Sequence, residues 1–339
     1  MEQKCNSDNY ILSDADTPAD FTASIESVTH RPWNVIERIV PMSKAKIRRV
    51  LGFYLTPLSF MLKHPNARNV IAWQQFFGIL AAFFNRYIFH RRNLSITIMT
   101  FIYQPKNGLA GKLYYKMVNS AISSKYVKSI IVFARNEVEH YERIFPKAKG
   151  KFHFVKLGIP VDNCNYYDPE LASNDYFFAT GVSNRDYNFL IDVFSGIKAK
   201  LKIACPNIPN TGQENIEVLD NCFKNDMKRY LYNCKAVAIP LKDLNVSSGQ
   251  LVFIQAMQFG KPIIISDSGS TRSYLENNVD AIILPNNVEL WREGIEKLLN
   301  DNNMYETMSD HNRKRALSDF SIAGLGEKIG KIAMLYETV

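Results

Sequence analysis

Residues 175–285 alternate short β-rich runs with segments of helical periodicity, and this alternation restricts the fold more than any other feature. The runs are DYFFAT (175–180), KLKIAC (200–205), NIEVLD (215–220), KAVAIP (235–240), PIIISD (262–267) and VDAIILP (279–285). Helical patterns lie between them, at 186–197, 225–233 and 248–259. Strands that alternate with helices form βαβ units, which build parallel sheets with ligands at the carboxyl ends of the strands. A Rossmann-like domain is predicted.

The first half of the chain shows the same alternation less regularly. Its predicted strands are NVIAW (69–73), SITIMTFIY (95–103), SIIVFA (129–134) and KFHFVKLGIP (151–160), the last ending in a Gly and a Pro typical of a linker. A helix is predicted at 137–145, with Asn136 as its N-cap. The 339 residues suffice for two domains of ordinary size. The predicted fold is α/β, with two Rossmann-like domains that face each other across a cleft.

The predicted domains are residues 1–158 and 159–320, followed by a terminal segment at 321–339. This segment carries an apolar stripe at helical spacing, formed by Leu325, Ile329, Ile332 and Leu335. The stripe is predicted to be core. The helix either packs back on the first domain or closes the second.

Composition and targeting signals favour a cytoplasmic globular protein. The five cysteines are scattered and form no CxxC pair, which argues against a disulfide framework and against a zinc site. The first residues are polar and acidic, unlike a signal peptide. The longest apolar run, Phe76–Phe84, is much shorter than the roughly 20 residues of a membrane span. We therefore expect a buried helix there and no transmembrane segment.

Positive charge is concentrated in the first half of the chain. Residues 1–160 hold 23 Lys and Arg against 10 Asp and Glu, whereas the remainder holds 18 against 23. Between Arg38 and Asn136 there are 16 basic residues and no carboxylate. A surface this basic attracts phosphates, acidic glycans or anionic lipid head groups. The alternative is a basic surface that serves only solubility.

Two turns that contain Gly and Ser precede helices in the second half. They lie within ATGVSNRDYNFLIDVF (179–194) and VSSGQLVFIQAMQFGKPIIISDSG (246–269). Such a turn exposes backbone N–H groups, and the N-terminus of the helix favours an anion. The candidate anion-binding residues are Gly181, Ser183 and Arg185 in the first turn, and Ser247, Ser248, Gly249 and Gln250 in the second. Alternatively, Arg185 is a surface residue paired with Asp186 or Asp192, and the second turn is an ordinary Ser cap.

These segments, with AMQFGKP ahead of an apolar strand, resemble the nucleotide-binding domain of GT-B glycosyltransferases, in particular the retaining family-4 (group 1) enzymes. The resemblance covers residues 150–320 well and the first half in outline. It implies a hexosyltransferase whose nucleotide sugar is a substrate, with no cofactor. UDP is the favoured nucleotide and GDP the alternative. It also implies that the two turns bind the donor, with Arg185 in place of a divalent metal at the diphosphate.

One departure from the family pattern bears on catalysis. Family members have two glutamates eight positions apart, the first near the donor sugar and the second at the ribose hydroxyls. The matching positions here hold Ser247 and Gln255. Gln255 can exchange hydrogen bonds with a ribose, whereas Ser247 supplies no charge. No catalytic residue is assigned, and an inactive GT-B-like subunit that binds a partner is an alternative. Retention, with the donor phosphate helping to take the acceptor proton, is the mechanism that the resemblance implies.

Polar residues that follow two strands of the first half are candidate acceptor contacts. They are Gln74 and Gln75 after the strand at 69–73, and Tyr103, Gln104 and Lys106 after the strand at 95–102. Each is alternatively a solvated loop residue. A carboxylate base on this side would have to be Asp14, Asp16, Asp20 or Glu137, because none occurs between 38 and 136.

The segment SKAKIRRVLGFYLTPLSFMLKH (43–64) places basic residues beside aromatic and aliphatic ones. Lys44, Lys46, Arg48 and Arg49 precede Phe53, Tyr54, Leu55 and Leu58. This composition suits the interface of an anionic bilayer, or else a core helix with a solvated basic end. The predicted function is transfer of a sugar to a lipid-linked or polysaccharide acceptor at the cytoplasmic membrane face by a peripheral protein.

Two other protein classes are less consistent with the sequence. A nucleic-acid-binding protein would suit the basic first half, but no helix-turn-helix, zinc-finger or RNP motif is present, so no nucleic-acid partner is expected. A dinucleotide oxidoreductase would be expected to carry GxGxxG, which the sequence lacks.

Overall fold

The computed structural model describes residues 7–39, 46–220, 222 and 225–335, and for 46–50 it describes the backbone alone. These residues form two compact units. Unit 1 comprises the described residues up to Val155 together with those from Ile322 onward, and unit 2 comprises Lys156–Ser321. The sequence-based boundary at 158/159 lies slightly later in the chain. The terminal segment belongs with unit 1.

The secondary structure of the described residues alternates strand and helix through both units. The strands are β1 (Asn9–Ser13), β2 (Asn34–Glu37), β3 (Asn69–Ala72), β4 (Ser95–Ile98), β5 (Val127–Val132), β6 (Phe152–Phe154), β7 (Tyr176–Thr180), β8 (Lys200–Ala204), β9 (Ile216–Val218), β10 (Ala236–Ile239), β11 (Ile263–Ser266) and β12 (Ile282–Leu284). The helices are α1 (Ala19–Thr29), α2 (Lys46–Lys63), α3 (Gln75–Phe84), α4 (Gly108–Ile122), α5 (Arg135–Ile144), α6 (Pro169–Ala172), α7 (Tyr187–Phe194), α8 (Asn225–Asn233), α9 (Gln250–Gln258), α10 (Gly269–Arg272), α11 (Val288–Asn300), α12 (Asn302–Asp319) and α13 (Ile322–Met334). Within the described ranges, every helix is too short or too polar to cross a lipid bilayer.

Unit 1 contains a parallel sheet of strand order β2-β1-β3-β4-β5-β6. The chain moves outward from β1 to β2 and then returns past β1 to β3, so the strand order reverses between β1 and β3. Because parallel crossovers are right-handed, α1 covers one face while α2, α3 and α4 cover the other. Ligands of open α/β sheets bind at the carboxyl ends of the strands where the order reverses. In unit 1 this position follows Ser13 and Ala72.

Unit 2 contains a parallel sheet of order β12-β11-β10-β7-β8-β9. The strand order reverses between the neighbours β7 and β10, as it does in dinucleotide-binding Rossmann sheets. The central strands β10 and β11 are buried at every position, which explains their unbroken apolar sequence. The loops after Thr180 and after Ile239 therefore meet at the position where a ligand is expected.

The sequence-based assignment of elements is confirmed for unit 2 and for α3. Each of the six runs predicted in unit 2 contains one strand, and the run Phe76–Phe84 lies in α3, where Phe77–Ala82 are buried. Strands β1 and β2 and helix α1 were not predicted from the sequence. The N-cap predicted for α5 was wrong: the cap is Ala134, and its backbone N–H donates to Glu137 Oε2 at 3.0 Å.

Helix α13 packs against α1 in unit 1 through two glycines that let the helices approach closely. A Cβ added to Gly326 would lie 2.5 Å from the carbonyl oxygen of Phe21, and one added to Gly330 would lie 2.6 Å from Val28 Cγ2. Of the predicted stripe, Leu325 and Ile329 are buried, whereas Leu335 is exposed just beyond the helix.

Candidate functional site

The turn between β7 and α7 requires a glycine at its first position. Gly181 has φ +114°, a conformation that L-residues rarely adopt. A Cβ at this position would lie 2.9 Å from Nη2 of Arg185. The Gly181 carbonyl accepts a 2.6 Å hydrogen bond from the hydroxyl of Tyr187. The turn is therefore held in one shape, with the Arg185 guanidinium packed against its backbone.

Arg185 joins the turn after β7 to the loop before α9. Its Nε donates to the Thr180 carbonyl at 3.2 Å, and its Nη1 donates to the Ser183 carbonyl at 3.0 Å. Nη1 also lies 3.0 Å from Ser248 Oγ, to which it donates. Burial lowers the pKa of Arg185. A cation held this firmly and partly desolvated is a strong partner for an anion.

The alternative in which Arg185 pairs with a neighbouring aspartate is not what the structure shows. Asp186 instead caps α7, since its Oδ1 accepts the Phe189 N–H at 3.1 Å. Asp192 is exposed on α7. Among the described residues, no carboxylate lies within 4.0 Å of the Arg185 guanidinium nitrogens. The contacts of Arg185 are thus carbonyls and a hydroxyl, which leave its positive charge uncompensated.

The second turn ends at Gly249, which has φ +94° and is the N-cap of α9. Gln250 is buried and its Nε2 donates to Ser247 Oγ, so these two residues fix the loop. The loop is tied to the first turn by a reciprocal pair: Asn184 Nδ2 donates to the Asp243 carbonyl at 2.9 Å, and the Asp243 N–H donates to Asn184 Oδ1 at 2.7 Å. The N-terminus of α9 opens beside the Arg185 guanidinium, which gives two sources of positive potential at one place.

The structure thus brings together most of the residues that the sequence nominated in unit 2. Those that meet around the two turns are Gly181, Ser183, Arg185, Ser247, Ser248, Gly249 and Gln250. Their positions are the carboxyl ends of β7 and β10, the neighbours at which the strand order reverses. Among them, Gly181 and Arg185 fix the first turn and Ser248 links it to the second.

Gln255 lies one turn further along α9 and lines a cavity of about 670 Å³ within unit 2. The cavity is lined by Ile159, Pro160, Val161, Asp162, Asn163, Cys164, Thr180, Met227, Lys228, Leu231, Leu251, Val252 and Gln255. Gln255 Nε2 donates to Gln258 Oε1 at 3.2 Å, and Gln258 Nε2 donates to the Pro160 carbonyl at 3.1 Å. Thr180 lines this cavity, and its carbonyl also accepts the hydrogen bond from Arg185 Nε. Its volume is in the range of small-molecule sites.

The charged groups of this cavity are a half-buried ion pair that sequence reasoning missed. Lys228 Nζ lies 2.6 Å from Asp162 Oδ2, and the Asp162 side chain is 8% exposed. Burial opposes ionisation of Asp162, but the hydrogen bonds from Lys228 and from the Cys164 N–H prevail and lower its pKa. The hydrogen bond to Asp162 raises the pKa of Lys228. No local sequence pattern predicts this pair, because Asp162 and Lys228 are 66 residues apart in the chain.

In unit 1, Gln74 and Gln75 connect the carboxyl ends of three strands. Gln74 Nε2 donates to Asp14 Oδ2 at 3.1 Å, while its Oε1 accepts the Phe76 N–H at 3.0 Å as the N-cap of α3. Gln75 Oε1 accepts the Ile102 N–H at 2.9 Å. Gln74 and Asp14 therefore lie where the strand order reverses between β1 and β3.

The other nominated acceptor residues separate into a core residue and two exposed ones. Tyr103 is 7% exposed, stacks on Tyr114 at 5.5 Å between ring centroids, and meets Phe145 edge-on. Its ring is used in packing, which corrects the expectation that it contacts an acceptor. Gln104 is exposed, and exposed Lys106 places its Nζ 4.5 Å from the centre of the Tyr114 ring.

The carboxylates considered as bases differ in their surroundings. Glu137 is buried and caps α5, so it is a structural residue and not a free base. Asp16 and Asp20 are exposed after β1. Asp14 is the one of the four whose side chain bonds to a nominated acceptor residue, Gln74.

Part of unit 2 matches a known protein family. Residues 189–315 match the family described as glycosyl transferases group 1. No curated protein matches the chain. Similar solved structures include Anabaena HepE in complex with UDP-glucose, with 13% identity, a TM-score of 0.65, and coverage of 95% of this chain and 98% of that chain. Sucrose-phosphate synthase from Thermosynechococcus elongatus gives 12% identity, a TM-score of 0.70, and coverage of 96% and 98%.

A third similar structure is WaaG, a glycosyltransferase involved in lipopolysaccharide biosynthesis, with 12% identity, a TM-score of 0.64, and coverage of 96% of this chain and 99% of that chain. These likenesses extend over both units and confirm the predicted α/β fold with two Rossmann-like domains. The family match confirms the resemblance inferred from the sequence. The chain therefore has the GT-B fold, and residues 189–315 of its second unit match the group 1 glycosyl transferases.

Proposed function

We propose that this protein transfers a sugar from a nucleotide-sugar donor, with UDP as the favoured nucleotide, to a lipid-linked or polysaccharide acceptor. The acceptor is held at the cytoplasmic face of a membrane, and transfer proceeds with retention and without a metal. The observation that carries the proposal is the uncompensated Arg185 guanidinium, fixed by Thr180, Ser183 and Ser248 beside the N-terminus of α9.

The donor diphosphate fits the two turns, and the nucleoside fits the adjoining cavity. A diphosphate needs fixed positive potential, which Arg185 and the amides at the start of α9 supply. The cavity begins at Thr180, whose carbonyl binds Arg185, and Gln255 lies on its wall. The Gln255 amide can donate to and accept from ribose hydroxyls without a charge. That HepE was solved with UDP-glucose supports UDP as the first nucleotide to test.

The same groups stabilise the charge that develops as the donor breaks. When the bond between the anomeric carbon and the diphosphate oxygen cleaves, negative charge grows on the leaving diphosphate. Arg185 already faces that position, so its charge needs no rearrangement during the reaction. The acceptor hydroxyl attacks the same face of the sugar, and its proton passes to a phosphate oxygen of the leaving group. No side-chain carboxylate is needed at the position of Ser247.

The acceptor side of the proposal is supported by charge. The segment from Arg38 to Asn136 is free of carboxylates and lies wholly in unit 1. A phosphate-bearing lipid or an anionic membrane is attracted to such a surface. Exposed Gln104 and Lys106 follow β4 at the carboxyl edge of the sheet, and we propose them as acceptor contacts. Gln74 and Gln75 position this edge through their bonds to Asp14 and Ile102.

A second candidate is a GT-B subunit that binds the nucleotide but does not transfer sugar. It is favoured by the neutral residues Ser247 and Gln255 and by the bond between Ser247 Oγ and Gln250, which turns that hydroxyl into a loop contact. Hydrolysis of UDP-glucose in the absence of acceptor distinguishes the two candidates. An active retaining enzyme releases UDP slowly, whereas the binding subunit releases none.

The proposal is tested by thermal unfolding with UDP, GDP, CMP or NAD at millimolar concentration, on the wild type and on Arg185→Ala. A ligand at 100 times its Kd stabilises a protein by about 2.7 kcal/mol. We expect UDP to raise the Tm of the wild type but not that of Arg185→Ala. The control is Arg292→Ala, because Arg292 also binds backbone carbonyls in unit 2, those of Asp192, Val193 and Ser195, but at the far end of α7.

If the donor site lies at Arg185, Arg292→Ala should lower the Tm but keep the rise in Tm that UDP causes. An equal UDP shift in wild type and Arg185→Ala would overturn the assignment of the diphosphate site. No shift with any of the four nucleotides would overturn the donor-binding function.

A further inference from the structure

The solvent-facing side of α2 is apolar along much of its length. Leu51, Tyr54, Leu55 and Leu62 are 50%, 45%, 49% and 64% exposed. Leu51, Tyr54 and Leu55 are spaced i, i+3 and i+4, so they lie on one side of the helix. The other side is packed, since the Phe53 ring contacts Phe76 and Phe77 of α3. A helix on the surface of a globular protein normally turns charged residues to water, but α2 has no charged residue between Leu51 and Leu62.

The beginning of α4 extends this apolar surface. Leu109 and Leu113, one turn apart, are 74% and 59% exposed. Helix α3 packs against both α2 and α4, so all three lie in the same layer over the sheet. Leu109 and Leu113 therefore lie in the same helical layer as Leu51, Tyr54 and Leu55. We call Leu51, Tyr54, Leu55, Leu109 and Leu113 the α2–α4 face.

Basic residues lie beside Leu109 and Leu113 of the α2–α4 face. Lys106, Lys112 and Lys116 are exposed on α4 and the loop before it. By sequence, Lys46, Arg48 and Arg49 belong to the first turn of α2, although their side chains, like the whole of Lys44, lie outside the described residues. No carboxylate occurs from Arg38 to Asn136 to offset these charges. Exposed aliphatic and aromatic side chains ringed by lysine are typical of protein surfaces that insert into anionic lipid head groups.

The α2–α4 face also lies near the carboxyl ends of the strands of unit 1, where the acceptor is proposed to bind. Both helices begin after the carboxyl ends of their preceding strands, β2 and β4, and Leu51 and Leu109 lie in their early turns. The proposed acceptor contacts Gln104 and Lys106 immediately precede α4. A bilayer bound there would hold a lipid-linked acceptor next to the edge of the sheet that receives it.

We propose that the α2–α4 face docks unit 1 onto an anionic lipid bilayer. The side chains Leu51, Leu55, Leu109 and Leu113 insert among the head groups, and the surrounding lysines bind lipid phosphates. This rests on the proposed function, in which the acceptor is held at a membrane, and it specifies the surface and the lipid chemistry of that contact.

The experiment is co-sedimentation of the full chain with vesicles of phosphatidylcholine, alone or mixed with phosphatidylglycerol. We expect binding to the mixed vesicles that weakens with added salt, and little binding to phosphatidylcholine alone. The triple variant Leu51→Gln, Leu55→Gln, Leu113→Gln should bind at least about tenfold more weakly, since it loses three inserting side chains. The control is Leu317→Gln, an apolar residue of α12 in unit 2 that is 49% exposed; it should bind like the wild type.

Two further measurements separate the outcomes. Thermal unfolding of each variant with and without UDP, in the absence of vesicles, reports folding and donor binding independently of the membrane. Vesicle binding that survives in the triple variant, or is absent in the wild type while the UDP shift persists, would overturn the docking surface alone. Light scattering that shows a wild-type dimer abolished in the triple variant, without vesicle binding, would assign the face to a second copy of the chain instead.

Discussion

Arg185 Nη1 and Ser248 Oγ lie 3.0 Å apart although 63 residues separate them in the chain. This bond unites the turn after β7 with the loop before α9, so one guanidinium contacts both of the turns proposed to bind the donor. The same guanidinium occupies the space that a side chain at residue 181 would need. The geometry of both turns therefore depends on the absence of a side chain at residue 181.

Gly181→Ala should abolish the UDP-dependent rise in Tm and lower stability by about 1–3 kcal/mol, because the new methyl group forces both a strained φ and displacement of Arg185. Gly196→Ala is the matched control: its φ is +85°, and the added Cβ would meet open space. Gly196→Ala should lower stability only because alanine is strained at this φ, and it should keep the UDP response. Equal UDP responses in the two variants would show that the position of Arg185 does not matter for binding.

The Asp162–Lys228 pair should make stability fall in acid. The folded pKa of Asp162 lies below its ordinary value, so the pair contributes stability that is full above the unfolded pKa of about 4 and is lost as pH falls through the folded pKa. Thermal unfolding should show wild type more stable than Asp162→Asn near neutral pH, with the difference shrinking below about pH 4. Asp192→Asn, at an exposed position on α7, is the control and should track the wild type. A difference that is constant with pH would contradict the ion-pair account.

Asp280 should stabilise unit 2 far more than Asp319, the other carboxylate that Arg315 binds. The Asp280 side chain is fully buried against Arg315, whereas Asp319, also bound to Arg315 at 3.2 Å, is 39% exposed. Removing one partner of a buried pair costs about 3–5 kcal/mol, against about 1 kcal/mol or less at the surface. Urea unfolding of Asp280→Asn and Asp319→Asn measures the two losses. Losses of the same size would mean that water reaches Asp280 in solution.

Gly326→Ala should destabilise unit 1 more than Gly330→Ala, although alanine favours a helix by about 1 kcal/mol at either site. The Cβ at 326 would collide with the fixed carbonyl of Phe21, whereas the Cβ at 330 meets mainly the side chain of Val28, which can move. Urea unfolding of each variant, monitored by circular dichroism, measures which substitution lowers stability more. A more stable Gly326→Ala would show that α1 and α13 are not packed this closely.

The sequence predicts unit 2 well because its signals are local. Strands β7, β10, β11 and β12 are apolar or nearly so, and the turns that contact Arg185 lie at the ends of β7 and β10, where the alternating pattern alone predicts a ligand. The strands β1 and β2 lack such a signal. Strand β2 is at the edge of its sheet, and its four residues are alternately half-buried and exposed, so its sequence is not apolar.

The parts of the site that the sequence did not reveal depend on contacts distant in the chain. Asp162 lies in a loop and Lys228 in α8, 66 residues apart in the chain. Tyr103 follows a strand, as an acceptor contact would, yet its ring stacks into an aromatic cluster with Tyr114 and Phe145. Position after a strand predicts which backbone reaches the edge of a sheet, but not which side chain turns back into the core.

The assignment of α13 to unit 1 makes unit 2 an insertion within unit 1. The chain leaves unit 1 after Val155 and returns at Ile322, and the two crossings lie side by side, since the Ile159 N–H donates to the Phe320 carbonyl at 2.9 Å. Unit 2 is continuous in the chain, so it can fold as soon as it has left the ribosome. Unit 1 cannot be completed until residues 322–335 are synthesised, and until then the surface of α1 that α13 covers is open to chaperones.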